Sequence, residues 1–292
     1  MKDKCPLVSI SCITFNHAPY IRHCLDGFMM QQTNFSFEVL IHDDASTDGT
    51  TEIIKEYEAK YPDIIKPLYE EENQWVKGRR GSAVFNFPRA KGKYIAMCEG
   101  DDYWIDPYKL QKQVDFLETH HQYSIIGHNA IIFERANNHY KLFNPILKEH
   151  SFSISYLLEQ DWFIPTASIL FRKSTLLQKD FSRAFLNYDY YLQLILLSNE
   201  EKLYYSNQVM SVYQIHEKGI SSKLLPQLLI NELNKLLDFI NKYTEYQYDV
   251  IIQKRKIRMN NYLKESIKKE KYYNSLRYKL KQTISNIFHK LL

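Results

Sequence analysis

Two clusters of acidic residues each follow a run of apolar, β-branched residues. The first is Asp43-Asp44-Ala45-Ser46-Thr47-Asp48, and the second is Glu99-Gly100-Asp101-Asp102. Neighbouring carboxylates repel one another, by about 1 kcal/mol per pair at 4 Å in water and by more in a cleft. A hard divalent cation relieves that repulsion, and oxygen ligands suit Mg²⁺ or Mn²⁺. The second cluster therefore predicts a metal site, and the alternative is a solvated acidic turn.

The first cluster predicts hydrogen-bond acceptors. Asp43 and Asp44 end a strand-like run, at the point where a helix is about to begin. In open α/β sheets ligands bind at this carboxyl edge, where a carboxylate can accept a hydrogen bond from a base N–H or a ribose hydroxyl. The alternative is an acid-rich helix cap supplied by Ser46, Thr47 or Asp48.

Further along the chain, an acid and a histidine have ordinary structural explanations. Asp189 precedes an apolar helical run, where it could cap the helix. A lone histidine such as His216 is more often structural than a ligand. Tyr103 and Trp104 directly follow the second acidic cluster and favour a cleft wall, with burial in the core as the alternative.

Alternating strand-like and helix-like segments position these residues. The predicted strands are residues 7–14, 37–42, 64–69, 93–98, 123–133 and 166–171. The predicted helices carry apolar faces at Ile21, Leu25, Phe28 and Met29, at Ile53, Ile54 and Tyr57, and at Leu110, Val114 and Leu117, and further helices cover 186–197 and 228–240. Asp106-Pro107 predicts a helix start with proline at the first helical position. This order indicates an α/β fold with right-handed βαβ units and a mainly parallel, Rossmann-like sheet flanked by helices.

The composition excludes several classes of protein. The 292 residues are 45% hydrophobic and 25% charged, which is typical of a soluble globular protein and not of collagen or a disordered chain. No apolar run reaches the roughly 18–20 residues of a membrane-spanning helix, and we expect no signal peptide. The four cysteines form no CxxC pair, so we expect reduced thiols in a cytoplasmic protein. Neither a dinucleotide fingerprint nor a phosphate loop of the P-loop type is present.

The charge is unevenly distributed, which predicts two regions. Residues 225–292 hold 14 Lys and Arg against 6 Asp and Glu, whereas residues 1–224 hold 24 against 28. We therefore predict a domain over 1–224 and a basic helical C-terminal extension over 225–292. Apolar residues recur at helical spacing in 253–292, so this segment could lie on an anionic membrane face. A solvated helical hairpin or a dimer contact is the alternative, and the acidic body argues against nucleic-acid binding.

An ordered series of motifs resembles one known family. The series comprises Val8-Ser9-Ile10-Ser11-Cys12-Ile13-Thr14-Phe15-Asn16, Val39-Leu40-Ile41-His42-Asp43-Asp44-Ala45-Ser46-Thr47-Asp48, Ala90-Lys91-Gly92-Lys93-Tyr94-Ile95 and Glu99-Gly100-Asp101-Asp102. Together they resemble the family 2 glycosyltransferases, whose nucleotide-sugar-binding α/β fold is called GT-A. The resemblance covers residues 7 to 222. Ala45 replaces a usual glycine and Glu99 a usual aspartate.

The resemblance implies roles for the donor and metal residues. Thr14 and Phe15 would border the nucleobase, and Asp43 or Asp44 would hydrogen-bond the base or the ribose. Asp101 would face the ribose or the donor sugar. The residues implied as metal ligands are Asp102 and His216, the latter alternatively touching the diphosphate. In the Lys77–Arg80 loop, Arg80 is the implied diphosphate ligand.

The remaining implied roles concern the acceptor. Asp189 would take the proton from the acceptor hydroxyl. Trp104, Trp162 and Thr166 would shape the acceptor pocket, with burial in the core as the alternative for either tryptophan.

The resemblance predicts an inverting, divalent-metal-dependent transferase. It would move a sugar from a nucleotide diphosphate sugar to a glycan or lipid-linked acceptor in bacterial surface polysaccharide synthesis, with the basic extension attaching it to the inner face of the plasma membrane. A nucleotidyltransferase that makes nucleotide sugars is one alternative, although Phe15-Asn16-His17-Ala18-Pro19 stands where such enzymes carry a Gly-rich loop. A non-catalytic nucleotide-sugar-binding module is the other.

Overall fold

The structure is a computed structural model that describes residues 5–79, 81–146, 148–160, 164–177, 179, 181, 185–198, 201–217, 219, 226–265 and 268. The chain divides into two compact units, Met1–Lys223 and Leu224–Leu292. Arg80 and Trp162, two predicted site residues, lie outside the described residues.

The first unit is built on one mixed sheet. Its strands are β1 (Val8–Thr14), β2 (Phe37–Asp43), β3 (Ile65–Tyr69), β4 (Tyr94–Met97), β5 (Tyr103–Trp104), β6 (Ile125–Glu134), β7 (His139–Leu142), β8 (His150–Phe152), β9 (Leu170–Arg172) and β10 (Leu203–Ile215). The main path runs β3-β2-β1-β4-β9-β6-β10-β5, with β7 beside β6 and β8 beside β10. Strands β3, β2, β1 and β4 are mutually parallel, as are β6 and β10. The predicted α/β fold with a mainly parallel sheet is therefore confirmed.

Helices cover the sheet and bury the faces that the spacing predicts. They are α1 (Ile21–Met29), α2 (Thr50–Lys60), α3 (Ser82–Phe85), α4 (Lys109–Thr119), α5 (Ile154–Glu159) and α6 (Tyr188–Leu197). Ile21, Leu25 and Phe28 on α1 are fully buried, and Met29 is half-buried. Full burial of such side chains contributes about 1.5–3 kcal/mol each. These contacts hold the strand ends, and the turns that follow them, in fixed positions.

Two local predictions were wrong. Helix α4 begins at Lys109, because the Asp106 carboxylate accepts the Tyr108 N–H at 2.8 Å and closes a turn before the helix. Pro107 is therefore not at the first helical position. The region predicted as a strand over 166–171 begins with a 3-10 turn at Thr166–Ser168, and only Leu170–Arg172 joins the sheet.

The second unit is helical where it is described. It contains α7 (Pro226–Tyr243) and a further helical segment, 249–265. The Asn241 amide donates to the Asp249 carboxylate at 2.7 Å, and Lys256 pairs with Asp238 at 2.5 Å, so polar contacts join the two helices. Most of the predicted amphipathic stretch 253–292 lies beyond the described residues. Among the helices that are described, none is both long and apolar enough to cross a membrane.

Candidate active site

The end of β1 holds both acidic turns together. The Asp44 N–H donates to the Thr14 carbonyl at 3.0 Å, and the Gly100 N–H donates to the Ile13 carbonyl at 2.9 Å. These bonds exist because β2 and β4 flank β1 and run parallel to it, so that their carboxyl ends meet at one edge of the sheet. The two acidic clusters of the sequence are thus neighbours in the fold.

At the end of β2, Asp43 stabilises its own turn. Its Oδ1 accepts the Ser46 hydroxyl at 2.5 Å and the Ser46 N–H at 3.3 Å, and its Oδ2 accepts the Thr51 hydroxyl at 2.5 Å. Ala45 adopts a left-handed φ of 61°, a conformation that an L residue reaches at some cost. The carboxylate is buried and offsets that cost by fixing the turn.

Asp44 anchors a neighbouring segment of the chain. Its Oδ1 accepts the Gln74 N–H at 2.6 Å, and its Oδ2 accepts the Trp75 N–H at 3.1 Å. Only 5% of the residue is exposed. Both carboxylates that the sequence assigns to the base or ribose are thus already engaged by protein N–H and O–H groups.

At the end of β4, the buried Asp102 ties its turn to β10. Its Oδ1 accepts the Gln214 N–H at 2.8 Å, and only 2% of the residue is exposed. Burial, followed by the charge of Asp101, raises the pKa of Asp102 well above its usual value. The Gln214 N–H thus engages one oxygen of Asp102, and the metal-ligand role that the resemblance implies stays a prediction.

Asp101 faces two imidazoles. Its Oδ2 lies 3.1 Å from His216 Nε2 and 3.7 Å from His17 Nε2. Burial acts to raise the pKa of Asp101, but His17 and His216 outweigh it and the net change is downward. Burial is also the largest influence on His17 and lowers its pKa, which favours a neutral ring with a lone pair available.

Two further carboxylates lie close to Asp101. The side chain of Glu99 is reached by solvent, but loss of hydration, together with the charges of Asp101 and Asp189, raises its pKa to about 8. Asp189 lies in the first turn of α6, where its Oδ1 accepts the Tyr190 N–H at 2.8 Å and burial raises its pKa. Asp101 and Asp189, about ninety positions apart in the chain, thus both influence the charge of Glu99.

Helix α6 is held in place by Gly81 and by the first turn of α3. The Ala83 N–H donates to the Tyr188 hydroxyl at 3.0 Å. Gly81 has a φ of 84°, and a Cβ there would lie 2.2 Å from the Tyr188 ring, so no side chain fits at this position. This contact fixes the residue next to Asp189. The cluster of glycines between residues 78 and 100 was the available signal, but it does not reveal which ring packs there.

The other predicted residues have mixed outcomes. Thr14 is buried, and within the described part of the chain its hydroxyl has no hydrogen-bond partner. Phe15 is 43% exposed, beside Thr14 at the same edge. Thr166 is buried in its 3-10 turn. Trp104 is wrong as an acceptor platform, because it is 2% exposed, donates to the Ala167 carbonyl at 2.8 Å and packs over Lys109.

Sequence reasoning assigned no role to three residues around Asp101. His17 lies in the turn after β1, and the Tyr20 ring lies 4.4 Å from the His216 ring. Arg135, from the turn between β6 and β7, has its guanidinium carbon 5.0 Å from the Tyr20 ring centre. The motif Asn16-His17 was visible beside Phe15, whereas nothing near Arg135 in the sequence pointed to this site.

Asp101 and His216 are close enough to share a cation, and Glu99 and Asp189 are separate acids that could take up a proton. In the portion of the chain that is described, no group of three or more His, Cys, Asp or Glu side chains has the arrangement of a complete metal site. Asp101 and His216 alone would leave most positions around a cation for substrate oxygens, which is how Mg²⁺ sites at phosphates are commonly built.

Comparison with known proteins identifies the family. The family model described as Glycosyl transferase family 2 matches residues 9–182, more than half of the chain. The chain belongs to this family. The match includes both acidic turns, and it ends just before α6.

Individual relatives agree with the family. An uncharacterized protein of Mycobacterium tuberculosis is 36% identical over 213 residues, which are 73% of this chain and 60% of the relative. The chain thus matches less than two thirds of that relative's length. The Escherichia coli UDP-Glc:α-D-GlcNAc-diphosphoundecaprenol β-1,3-glucosyltransferase WfaP is 28% identical over 230 residues, which are 76% of this chain and 83% of the relative.

A solved structure agrees with the fold. The mannosyltransferase PcManGT from Pyrobaculum calidifontis, in complex with GDP-Man and Mn²⁺, superposes with a TM-score of 0.58 at 16% identity. The superposition covers 90% of this chain and 75% of that protein. This likeness confirms the GT-A fold of the glycosyltransferase family.

Proposed function

We propose that the protein transfers a sugar, of the hexosyl or N-acetylhexosaminyl type, from a nucleotide diphosphate sugar to a hydroxyl group, with inversion at the anomeric carbon. The observation that carries the proposal is that Asp101, at the carboxyl edge of the sheet, faces His216 at 3.1 Å and His17 at 3.7 Å, while the charges of Asp101 and Asp189 both act on Glu99. Structural acids would be engaged by the protein, as Asp43 and Asp44 are. Asp101 instead faces the imidazoles of His17 and His216, so backbone hydrogen bonds are not its only contacts.

The donor is supported by the location of the site and by the relatives. The carboxyl edge of β1, β2 and β4 is where nucleotides bind in open α/β sheets. WfaP is named for a UDP-sugar donor, and PcManGT was solved with a GDP-sugar. Exposed Phe15 and buried Thr14 border this edge, and we propose that they line the nucleobase site.

A divalent cation, Mn²⁺ or Mg²⁺, fits the residues around Asp101. The carboxylate of Asp101 and Nε2 of His216 would hold the ion, with His17 close by, and Asp102 would support the turn from behind. When bound, the cation would neutralise charge on the diphosphate as it leaves. This assignment places Asp101, rather than Asp102, as the carboxylate ligand.

Asp189 is proposed as the base for the acceptor hydroxyl. Helix α6 presents it where its charge acts on Glu99, and the Tyr188 contact with the first turn of α3 fixes its position. Its raised pKa brings it nearer to the operating pH than an ordinary aspartate. A single base on the face opposite the leaving group leads to inversion, with no covalent enzyme intermediate.

We propose that the acceptor is a glycan or a lipid-linked sugar and that the reaction belongs to bacterial surface polysaccharide synthesis. WfaP is named for a diphosphoundecaprenol-linked acceptor. We propose that the acceptor pocket lies around Thr166. A lipid-linked acceptor would be met at the inner face of the plasma membrane by a cytoplasmic enzyme.

The helical segment 249–265 supports that location. Val250 and Ile257 are exposed and lie one above the other on this helix, and Lys254 and Lys264 are exposed nearby. Flotation with anionic vesicles tests the attachment. The double variant Lys254→Glu/Lys264→Glu should float less than wild type, and Lys55→Glu/Lys60→Glu, which changes equal charge on α2, should float as wild type does.

The activity itself is tested by product analysis. Purified protein is incubated with UDP- and GDP-sugars and candidate acceptors, with and without Mn²⁺, and release of nucleoside diphosphate is followed. Glycosyl transfer releases a nucleoside diphosphate. A nucleotidyltransferase would leave these donors intact and would release pyrophosphate only from a nucleoside triphosphate and a sugar 1-phosphate, which a second reaction supplies. A binding module would release neither product.

A further inference from the structure

A diphosphate bound at the acidic site described above would need a positive charge, and the two described cations of the loop suggested by the sequence, Lys77 and Arg79, already have partners. Lys77 is ion-paired with Glu72. Arg79 donates to the Gln74 side chain at 3.1 Å and lies 5.3 Å from the Phe85 ring centre. Both cations therefore have partners close by in the chain, beside the segment that Asp44 anchors.

Arg135 instead lies next to residues that contact Asp101. Its guanidinium donates to the Gln214 side-chain oxygen at 2.8 Å. Gln214 is 5% exposed and is itself fixed twice, because its side-chain N–H₂ donates to the Asp101 carbonyl and its backbone N–H donates to Asp102. The guanidinium is therefore positioned through Gln214 relative to the very turn that carries Asp101.

Aromatic rings fix the guanidinium further. Its carbon lies 5.0 Å from the Tyr20 ring centre and 5.6 Å from the Phe133 ring centre. The Tyr20 ring also packs against the His216 ring. Arg135 and His216 thus share one aromatic partner. Such contacts reduce the entropy lost when the planar guanidinium binds an anion.

The guanidinium has no carboxylate partner in the described structure. None of the ion pairs among the described residues includes Arg135, and Gln214 is the acceptor recorded for it. A guanidinium carries five N–H donors, so most remain available to a ligand. Phosphate oxygens are the acceptors that match its fork geometry.

We propose that Arg135 binds the diphosphate of the nucleotide sugar and stabilises the charge that develops on it as the glycosidic bond breaks. This inference rests on the proposed function and assigns the cation to the turn between β6 and β7. In this arrangement the anion lies between Arg135 on one side and Asp101 with His216 on the other. The sequence-based candidate, Arg80, lies outside the described residues.

Binding of nucleotides with and without phosphate groups tests the proposal. The probes are UDP and GDP, each paired with its nucleoside, uridine or guanosine, titrated in buffer containing Mn²⁺ and followed by calorimetry. Arg135→Gln should weaken binding of the preferred nucleoside diphosphate about tenfold or more, the effect of one lost charge-assisted hydrogen bond. Binding of the matching nucleoside should not change. Arg135→Lys, which keeps the charge but not the fork, should recover part of the loss.

A matched control and a second readout separate this role from a structural one. Arg22→Gln removes an exposed arginine that pairs with Glu56 on the surface, and it should bind both ligands as wild type does. The loss in Arg135→Gln should shrink as salt rises, because charge-charge attraction is screened. Equal loss of nucleoside and nucleoside diphosphate, or wild-type diphosphate affinity in Arg135→Gln, would overturn the inference alone. Failure of wild type to bind UDP and GDP would overturn the proposed function together with it.

Discussion

The two acidic turns have similar sequences but are used in opposite ways. At the end of β2, every oxygen of Asp43 and Asp44 accepts a hydrogen bond from the protein, so the pair builds the turn and anchors residues 74 and 75. At the end of β4, one oxygen of Asp102 accepts the Gln214 N–H, while Asp101 faces two imidazoles and Glu99 lies near solvent. A pair of acids in a sequence therefore does not distinguish structural from chemical roles. The distinction depends on which carboxylate oxygens accept no hydrogen bond from the protein and on how deeply each carboxylate is buried.

We expect the largest loss of activity from a change at Asp189, the acid that α6 contributes to the site. Asp189→Asn should slow sugar transfer about 10²- to 10⁴-fold, the usual contribution of a general base, while leaving nucleoside diphosphate binding unchanged. Steady-state transfer and calorimetry measure the two quantities. Asp63→Asn, a change at an exposed aspartate, serves as the control and should keep wild-type activity. Loss of binding equal to the loss of rate would show that Asp189 holds the donor instead.

The next effect contrasts the neighbours Asp101 and Asp102. Asp101→Asn should lower kcat/KM about 10²- to 10³-fold, as expected when a group that stabilises transition-state charge is lost, with little change in melting temperature. Asp102→Ala should instead lower stability by about 1–3 kcal/mol, because the buried Gln214 N–H loses its acceptor. Thermal melts measure the stability of both variants, and the rate of nucleoside diphosphate release measures their activity. The reverse pattern would restore Asp102 as the metal ligand.

A smaller effect tests the turn at β2. Asp44→Asn keeps one acceptor but turns an NH₂ toward a backbone N–H, so we expect a loss of about 1–3 kcal/mol in stability. For a domain of this size the melting temperature falls by about 2–4 °C per kcal/mol. Activity measured well below the melting temperature should fall much less than in Asp101→Asn. A stable Asp44→Asn protein with lost donor binding would mean that Asp44 contacts the nucleotide after all.

The smallest effect concerns the core beneath the second turn. Lys109 is fully buried, 4.0 Å from the Trp104 ring centre, and burial lowers its pKa from 10.5 to about 7. Between these two values the unfolded chain binds more protons than the folded protein, so the free energy of unfolding should rise with pH, by at most about 1.4 kcal/mol per unit. Below pH 7 Lys109 should add no slope.

Denaturant titrations between pH 7 and 9 measure this slope. Lys109→Met should flatten the rise that wild type shows. Lys112→Met, one turn along α4 at an exposed, ion-paired lysine, should keep it. An unchanged slope in Lys109→Met would assign the pH dependence to other groups.

Much of the fold followed from local patterns. The faces of α1 and α4, the strand-helix alternation and the family resemblance were readable because each depends on residues a few positions apart. The exceptions are equally local in cause. Pro107 was misplaced because the Asp106 side chain closes a turn before the helix, and a 3-10 turn replaced the first part of the strand predicted from Thr166.

Within the candidate site, the choice of residues depended on distant contacts. Whether Trp104 faces a ligand or the core depends on the Ala167 carbonyl, which is 63 positions away. The place of Arg135 depends on Gln214, 79 positions away. No pattern around either residue encodes these partners.

The sequence by itself determined that acids stand at the ends of two parallel strands. Alternating apolar runs and helical spacing identify the strands, and the carboxyl ends of parallel strands lie at one edge of the sheet. Only the tertiary structure decided which acid is available for chemistry. Asp102 is occupied by a backbone N–H that lies 112 positions further along the chain, whereas Asp101, its neighbour, faces His17 and His216. Adjacent side chains can point to different surroundings, and those surroundings exist only once β10 has packed beside the turn.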